Sequence, residues 1–265
     1  MNEVLAPDSW LIARFAPVSM FSLRSTYATS KGGKTLLVPT PYAVKLALID
    51  ACFRMYSGSA AEVEARRIFD LIKAQPVRVR PPAECVVQNT FLRVLQPARD
   101  SGGEEVAAAG PFARTIAYRE LIFFSGHMDI ALGFRAAASP YFAELANAFA
   151  HVNYFGKRGS FWQFQESSPH LGVLPAGFSL IASELAQHSF DTVGRYRVTE
   201  YLDEFGPKLC AAKNGFERIS TYHDGEIKLA EHRILQPTLL PYERRSGGRH
   251  FTYYHRTVPE APNAA

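Results

Sequence analysis

His151-Val152-Asn153-Tyr154-Phe155-Gly156-Lys157-Arg158-Gly159-Ser160-Phe161-Trp162 joins a helical pattern to an aromatic run. Two glycines bracket Lys157 and Arg158, so the backbone can turn sharply and come close to a ligand while both cations face it. A phosphate backbone suits such a turn. Tyr154, Phe155, Phe161, Trp162 and Phe164 lie beside it, and aromatic faces next to a cationic loop are what unpaired RNA bases need for stacking. The same residues also fit a plain helix-to-strand connection, with glycines that only permit the turn and aromatics that belong to the core. The segment itself leaves both readings open.

Upstream of this loop, Ser139-Pro140 gives a capping hydroxyl and a proline at the start of a helix. Phe142, Leu145, Phe149 and Val152 recur at helical spacing as its buried stripe, and Tyr141 and Glu144 fall off it. Further back, the pattern predicts strands over 113–124 and 127–134 around Ser125-Gly126, and over 77–79 and 85–95. Trp10 to Met20 reads as the first strand, with Pro17 near its end. Thr40-Pro41 opens a long apolar helix from Tyr42 through Met55. Ser59-Ala60-Ala61-Glu62 reads as the capping box of a second helix, whose Arg66, Arg67 and Lys73 make a wet face. The resulting order is strand, helix, extra helix, strand, strand, helix, glycine loop, strand. It predicts an α+β chain with a ferredoxin-like, RRM-like split βαβ domain.

Two connections stand out. The polar loop 22–35 carries Arg24, Tyr27, Lys31 and Lys34 among hydroxyls, and serves either as a solvated link or as a second phosphate-contacting surface. Residues 96–111 are poor in apolar bulk and contain three glycines, a long loop of the kind usually tied to function. Ser167 to Gly177, with two prolines and two glycines, marks the expected boundary between a domain over 1–166 and a β-rich C-terminal part over 167–265. In that part Phe216 to Tyr222 and Glu226 to Leu235 flank His223-Asp224-Gly225, a hairpin signal, and Phe251 to Val258 is a further strand candidate.

Composition sets the outer limits. With 265 residues, 47% hydrophobic, the chain can bury a core without metals or bridges. Its net charge of +4 permits a polyanionic partner. Cys52, Cys85 and Cys210 are widely spaced and odd in number, which argues for a reducing cytoplasm and against a zinc site or redox pair. The first residues do not read as a signal peptide, and no stretch reaches the roughly 18 uninterrupted apolar residues of a membrane span.

Three features in order resemble the CRISPR-associated RAMP proteins, most closely family five of the Cas nomenclature. They are the first strand followed by Arg24-Ser25-Thr26-Tyr27, then Pro39-Thr40-Pro41-Tyr42-Ala43-Val44 leading into an apolar helix, and Gly156-Lys157-Arg158-Gly159-Ser160-Phe161 after the second main helix. The similarity spans about the first 165 residues and departs at Ala47-Leu48-Ile49, where a glycine often precedes paired leucines in that family. The resemblance implies a non-catalytic subunit of a type I surveillance complex, Cascade, that holds and caps the 5′ handle of the guide RNA. It further implies contacts with a backbone RAMP subunit and a large subunit, target DNA as an additional candidate, and a thumb-like role for loop 96–111. The RNA-binding residues it suggests are Arg24, Tyr27, Lys31, Lys34, Tyr154, Gly156, Lys157, Arg158, Gly159, Ser160 and Phe161, with no cofactor and no catalytic residue.

An enzymatic alternative comes from the branch of the same family that resembles a metal-independent endoribonuclease. Such cleavage needs a base for the 2′-hydroxyl and cations for the phosphorane, and Tyr27, Lys31, His127 and His151 are of suitable type. The Lys-His pair associated with that branch has no counterpart in the sequence. No spaced carboxylate cluster suggests a metal nuclease, and Lys31-Gly32-Gly33-Lys34-Thr35 lacks the first glycine of a P-loop. A third reading is an interaction protein without RNA contact.

Overall fold

The computed structural model describes residues 7–26, 32–97, 112–135 and 140–258. In chain order these form β1 (Ser9–Pro17), β2 (Leu23–Arg24), β3 (Gly32–Gly33), β4 (Thr35–Leu36), α1 (Pro41–Met55), α2 (Ser59–Ile72), β5 (Val77–Arg80), β6 (Glu84–Pro97), β7 (Phe112–Ser125), β8 (Met128–Phe134), α3 (Phe142–Ala150) and β9 (Trp162–Leu171). Then come β10 (Leu180–Ile181), a 3-10 helix (Ala182–Gln187), α4 (Phe190–Val193), β11 (Val198–Phe205), α5 (Pro207–Ala211), α6 (Gly215–Ile219), β12 (Arg233–Leu240), β13 (Tyr242–Gly247) and β14 (Phe251–Arg256).

The central sheet has the order β5-β8-β1-β9 with every pair antiparallel. Helices α1 and α2 connect β1 to β5, and α3 connects β8 to β9. This is the split βαβ arrangement expected from the sequence, with α2 and the β6–β7 hairpin added. The fold is α+β. Residues in β8 are buried at every position, as expected for an inner strand, whereas β9 is mostly exposed beyond Trp162.

Local chemistry explains the element starts. Thr40 caps α1, its Oγ1 accepting from the Ala43 amide at 3.1 Å, with Pro41 in the first turn. Phe142, Leu145, Phe149 and Val152 are buried as the α3 stripe predicts, while Ser139 lies outside the described residues. The capping box at Ser59 does not form: Gly58, at φ +60°, is the cap of α2, and no side chain bonds there. Glu62 pairs instead with Arg66 and His223. Nor is the cationic face of α2 merely wet, because Arg66 bonds Glu217 at 2.6 Å and Arg67 pairs with Glu144.

The hairpin predicted at Asp224-Gly225 is absent. Residues 215–219 form α6, and no strand lies between it and β12 at Arg233. A side chain on Gly225 would meet the Arg218 backbone at 2.4 Å, so this glycine serves close packing on α6, and the strand pairing goes to β11 and β12. Residues on both sides of the expected boundary share one core. Leu202, Phe205, Leu240 and Tyr242 join Leu11, Phe15 and Leu48 in the same apolar cluster; β14 pairs with β6, and the Tyr242 hydroxyl donates to the Pro82 carbonyl at 2.9 Å. The thumb-like loop lies outside the described residues apart from Gln96 and Pro97, which end β6. Among the described residues, no helix is long and apolar enough to cross a membrane.

Candidate nucleic-acid interface

Past α3 the chain folds back on itself. The Trp162 amide donates to the Asn153 carbonyl at 2.9 Å, Tyr154 bridges to Phe161, and the Ser160 amide donates to the Lys157 carbonyl at 3.2 Å. Gly156 and Gly159 take φ of +66° and +98°, conformations that glycine adopts without the steric cost other residues meet. Phe155 and Trp162 do not present faces for stacking. They are buried beneath the loop, Phe155 5.1 Å from Phe15 and Trp162 4.7 Å from Phe21 between ring centroids. Phe164 packs on Phe15 as well. These rings hold the turn from below, and Lys157 and Arg158 stand exposed above it.

Both cations line a groove of about 580 Å³ that runs between the glycine loop, β2, the face of α1 from Tyr42 to Phe53, and α6 with the segment after it. Arg24 and Arg233 line it too, so four cations from three distant segments converge. Among the described residues, Lys157 and Arg158 have no ion-pair partner. The start of α1, Thr40, Tyr42 and Ala43, forms part of the wall. Its first turn holds no acidic residue, so no carboxylate of the helix itself offsets the positive end of its dipole there.

Aromatic and hydroxyl groups complete the lining. The Tyr154 hydroxyl donates to Asp50 at 3.2 Å, and Arg54, which bonds Asp50 at 2.9 Å, lies over the Tyr154 ring. Tyr222 is 72% exposed, its ring 5.5 Å from that of Phe53. The Arg233 guanidinium sits 5.2 Å above the Tyr42 ring. Burial raises the Tyr42 pKa, an effect that Arg233 opposes and Asp203 reinforces; the hydrogen bond to Asp203 raises that of Arg233 against its own burial. Tyr42 therefore stays a neutral phenol and Arg233 a cation at physiological pH. Cations for phosphates, exposed rings for bases and hydroxyls for sugars are the groups that single-stranded RNA needs.

Of the residues the sequence suggested, Arg24, Tyr154, Gly156, Lys157 and Arg158 meet in this groove. Gly159, Ser160 and Phe161 shape the loop without lining it. Ser160 is buried, its Oγ donating to the Ser22 carbonyl at 3.0 Å, and Phe161 is half-exposed to one side. Lys34 is exposed beside β7, where Thr35 bonds Glu120, and is not part of the groove. Tyr27 and Lys31 lie outside the described residues. The lining lacks histidine: His127 is exposed in the turn after β7, and His151 Nδ1 contacts the Asn147 carbonyl at 2.8 Å. Sequence reasoning missed Tyr42 as a platform, Asp203, Tyr222 and Arg233. The local signal in that region, Asp224-Gly225, points to a hairpin instead. Among the described residues, no group of three or more His, Cys, Asp or Glu is placed to hold a metal ion.

No family model matches the chain. It resembles the CRISPR-associated protein Cas5 of Archaeoglobus fulgidus, to which it is 26% identical over 115 residues, 43% of this chain and 47% of that protein. The match thus spans about half the length of that curated relative. Among solved structures, a CRISPR protein from Archaeoglobus fulgidus aligns with a TM-score of 0.46 at 11% identity, covering 94% of this chain and 92% of the other. A chain in a Type III-B Cmr-beta complex bound to cognate target RNA and AMPPnP aligns with a TM-score of 0.37 at 9% identity, covering 92% and 86%.

Proposed function

We propose that this Cas5-like chain is a non-catalytic guide-RNA-binding subunit of a type I CRISPR surveillance complex, and that the groove holds the 5′ handle. The observation that carries the reading is the convergence of Arg24, Lys157, Arg158 and Arg233 on one groove at the start of α1, with Lys157 and Arg158 unpaired among the described residues. Cations that structure alone requires are normally paired on the protein, whereas cations left open along a groove with exposed rings suit a single-stranded polyanion. The likeness to Cas5 supports the choice of partner. The handle lies with its phosphates on Lys157 and Arg158 and the backbone amides near Gly156, and unstacked bases meet Tyr222 and Tyr154. A backbone RAMP subunit and the large subunit flank this chain in the complex, and target DNA is a further contact to be tested.

Binding of labelled repeat-derived RNA in EDTA, with and without Lys157→Ala and Arg158→Ala, tests the proposal. Affinity falls steeply with salt, the double variant loses about 1.4 from the slope of log K against log salt, at about 0.7 per phosphate contact for a single strand, and the RNA remains intact. Retention of RNA unchanged by the double substitution, or cleavage of the repeat, overturns it.

A further inference from the structure

One ion pair in the groove wall uses only half of its hydrogen-bonding capacity. Asp203 is 4% exposed. Its Oδ2 accepts from Arg233 Nη2 at 2.6 Å and from Thr26 Oγ1 at 2.8 Å, and the same Nη2 reaches Thr26 Oγ1 at 2.6 Å. Asp203 Oδ1 is buried with no hydrogen-bond partner among the described residues, and so is Arg233 Nε. Both residues line the groove that carries Lys157 and Arg158.

A buried acceptor and a buried donor left open on one rigid pair are costly to keep unless something else fills them. The pair is held from three sides: Asp203 sits on β11, Thr26 braces it from the first connection, and Arg233 stacks on Tyr42. Shielding from water strengthens a hydrogen bond made there. Asp50, the other carboxylate in the lining, accepts from Tyr154 and Arg54 through Oδ2 and is 42% exposed, so water serves its other oxygen; among the described lining residues, Asp203 Oδ1 is the carboxylate oxygen that is both buried and without a partner.

Resting on the reading that the groove takes single-stranded RNA, we infer that the Asp203–Arg233 pair reads one base of that strand. Oδ1 accepts a hydrogen of an exocyclic amino group, and Nε donates to the ring nitrogen beside it. That edge is the N4/N3 pair of cytosine and the N6/N1 pair of adenine. Uracil sets a carbonyl oxygen where the amino group stands, against the carboxylate. An aspartate accepting from cytosine N4 is a standard pairing, and a well-placed contact of this kind discriminates bases by about tenfold or more.

The test compares oligo(C) with oligo(U) of equal length for wild type, Asp203→Asn and Arg233→Lys, with thermal unfolding of each variant as a check on folding. Both probes are pyrimidines with the same backbone, so phosphate contacts cancel in the ratio. The wild type binds oligo(C) about tenfold more tightly, and Asp203→Asn brings the ratio close to one. Arg233→Lys, which retains the charge but lacks Nε, lowers the ratio even if Asp203→Asn fails to fold. Equal binding of both probes by the wild type, or a ratio unmoved in a folded variant, overturns the base-reading role and leaves the RNA-binding reading standing. Absence of salt-dependent binding to either probe overturns both.

Discussion

The Ser160 hydroxyl donates to the Ser22 carbonyl at 3.0 Å across 138 residues of chain, tying the loop of Lys157 and Arg158 to the strand of Arg24. The Val18 amide donates to the Phe161 carbonyl at 3.0 Å beside it, so two cation-bearing segments from opposite ends of the βαββαβ unit share one frame. Ser160→Ala removes the donor and leaves a poorly satisfied carbonyl, at a cost of about 1–2 kcal/mol. RNA affinity falls severalfold as well, because Arg24 and the loop cations lose their common support. Denaturant unfolding together with RNA titration measures both. A drop in affinity with an unchanged unfolding midpoint would mean that Ser160 acts on RNA directly and not through Ser22.

The two glycines of the loop differ in what they tolerate. A side chain on Gly156 would rest 3.7 Å from the Ala43 Cβ, an ordinary contact, and one on Gly159 would point into open space. Backbone conformation alone therefore decides. At φ +66° Gly156 lies in the left-handed helical well, where alanine costs about 1–2 kcal/mol and asparagine less. Gly159, at φ +98°, lies beyond that well. Thermal unfolding is expected to rank Gly159→Ala as more damaging than Gly156→Ala, with Gly156→Asn the mildest of the three.

The sequence revealed elements and missed meetings. The Thr40-Pro41 start of α1, the α3 stripe and the order of strands were legible because each is written in neighbouring residues, and together they fix the βαββαβ topology. The glycine loop was legible for the same reason. Its aromatics were not: Phe155 and Phe161 differ by six residues around a turn, and nothing local says that the first is buried and the second half-exposed. Asp224-Gly225 carried a hairpin signal, yet tertiary packing on α6 used the glycine for close approach. Asp203, Tyr222 and Arg233 reach the groove from strands and turns far from the loop in sequence, so only the fold brings them together.

Glu200 on β11 provides a pH dependence. Its Oε1 accepts from the Leu37 amide at 2.9 Å, and Oε2 is buried with no partner among the described residues. Burial pushes its pKa up to about 8, against the smaller opposing effect of the Leu37 and Val38 amides. An unfolded glutamate titrates near 4.3, so the folded form holds its proton more tightly. The stability linked to this proton is complete below about pH 4 and is lost as pH rises toward 8. Leu37 and Val38 lead into Pro39 and Thr40 of the groove wall, which makes the anchor relevant to binding. Compared with wild type, Glu200→Gln is expected to gain on the order of 5 °C in melting temperature above pH 8 and to lose that advantage near pH 4. Melting curves across pH 4 to 9 check it; a difference between the two proteins that does not vary with pH contradicts the assignment.

Lys45 tests how firmly the groove is held from behind. Its ammonium is buried in α1, bonded to Glu204 at 2.7 Å and to the Lys73 carbonyl at 3.1 Å, and lies over the Phe205 ring. Glu204 directly follows Asp203 on β11, so the pair fixes the strand that carries the base-reading carboxylate against the helix that forms the groove wall. Lys45→Met strands a mostly buried carboxylate and should destabilise the fold by about 3–5 kcal/mol. Neutralising the partner as well, in Lys45→Met with Glu204→Gln, removes the stranded charge and should recover more than half of that loss, since an apolar replacement of a buried pair is often close to neutral. A urea double-mutant cycle measures the coupling. Additive losses in the cycle would show that Lys45 acts through its bond to the Lys73 carbonyl at the end of α2, and that the Glu204 contact contributes little to holding β11 in place.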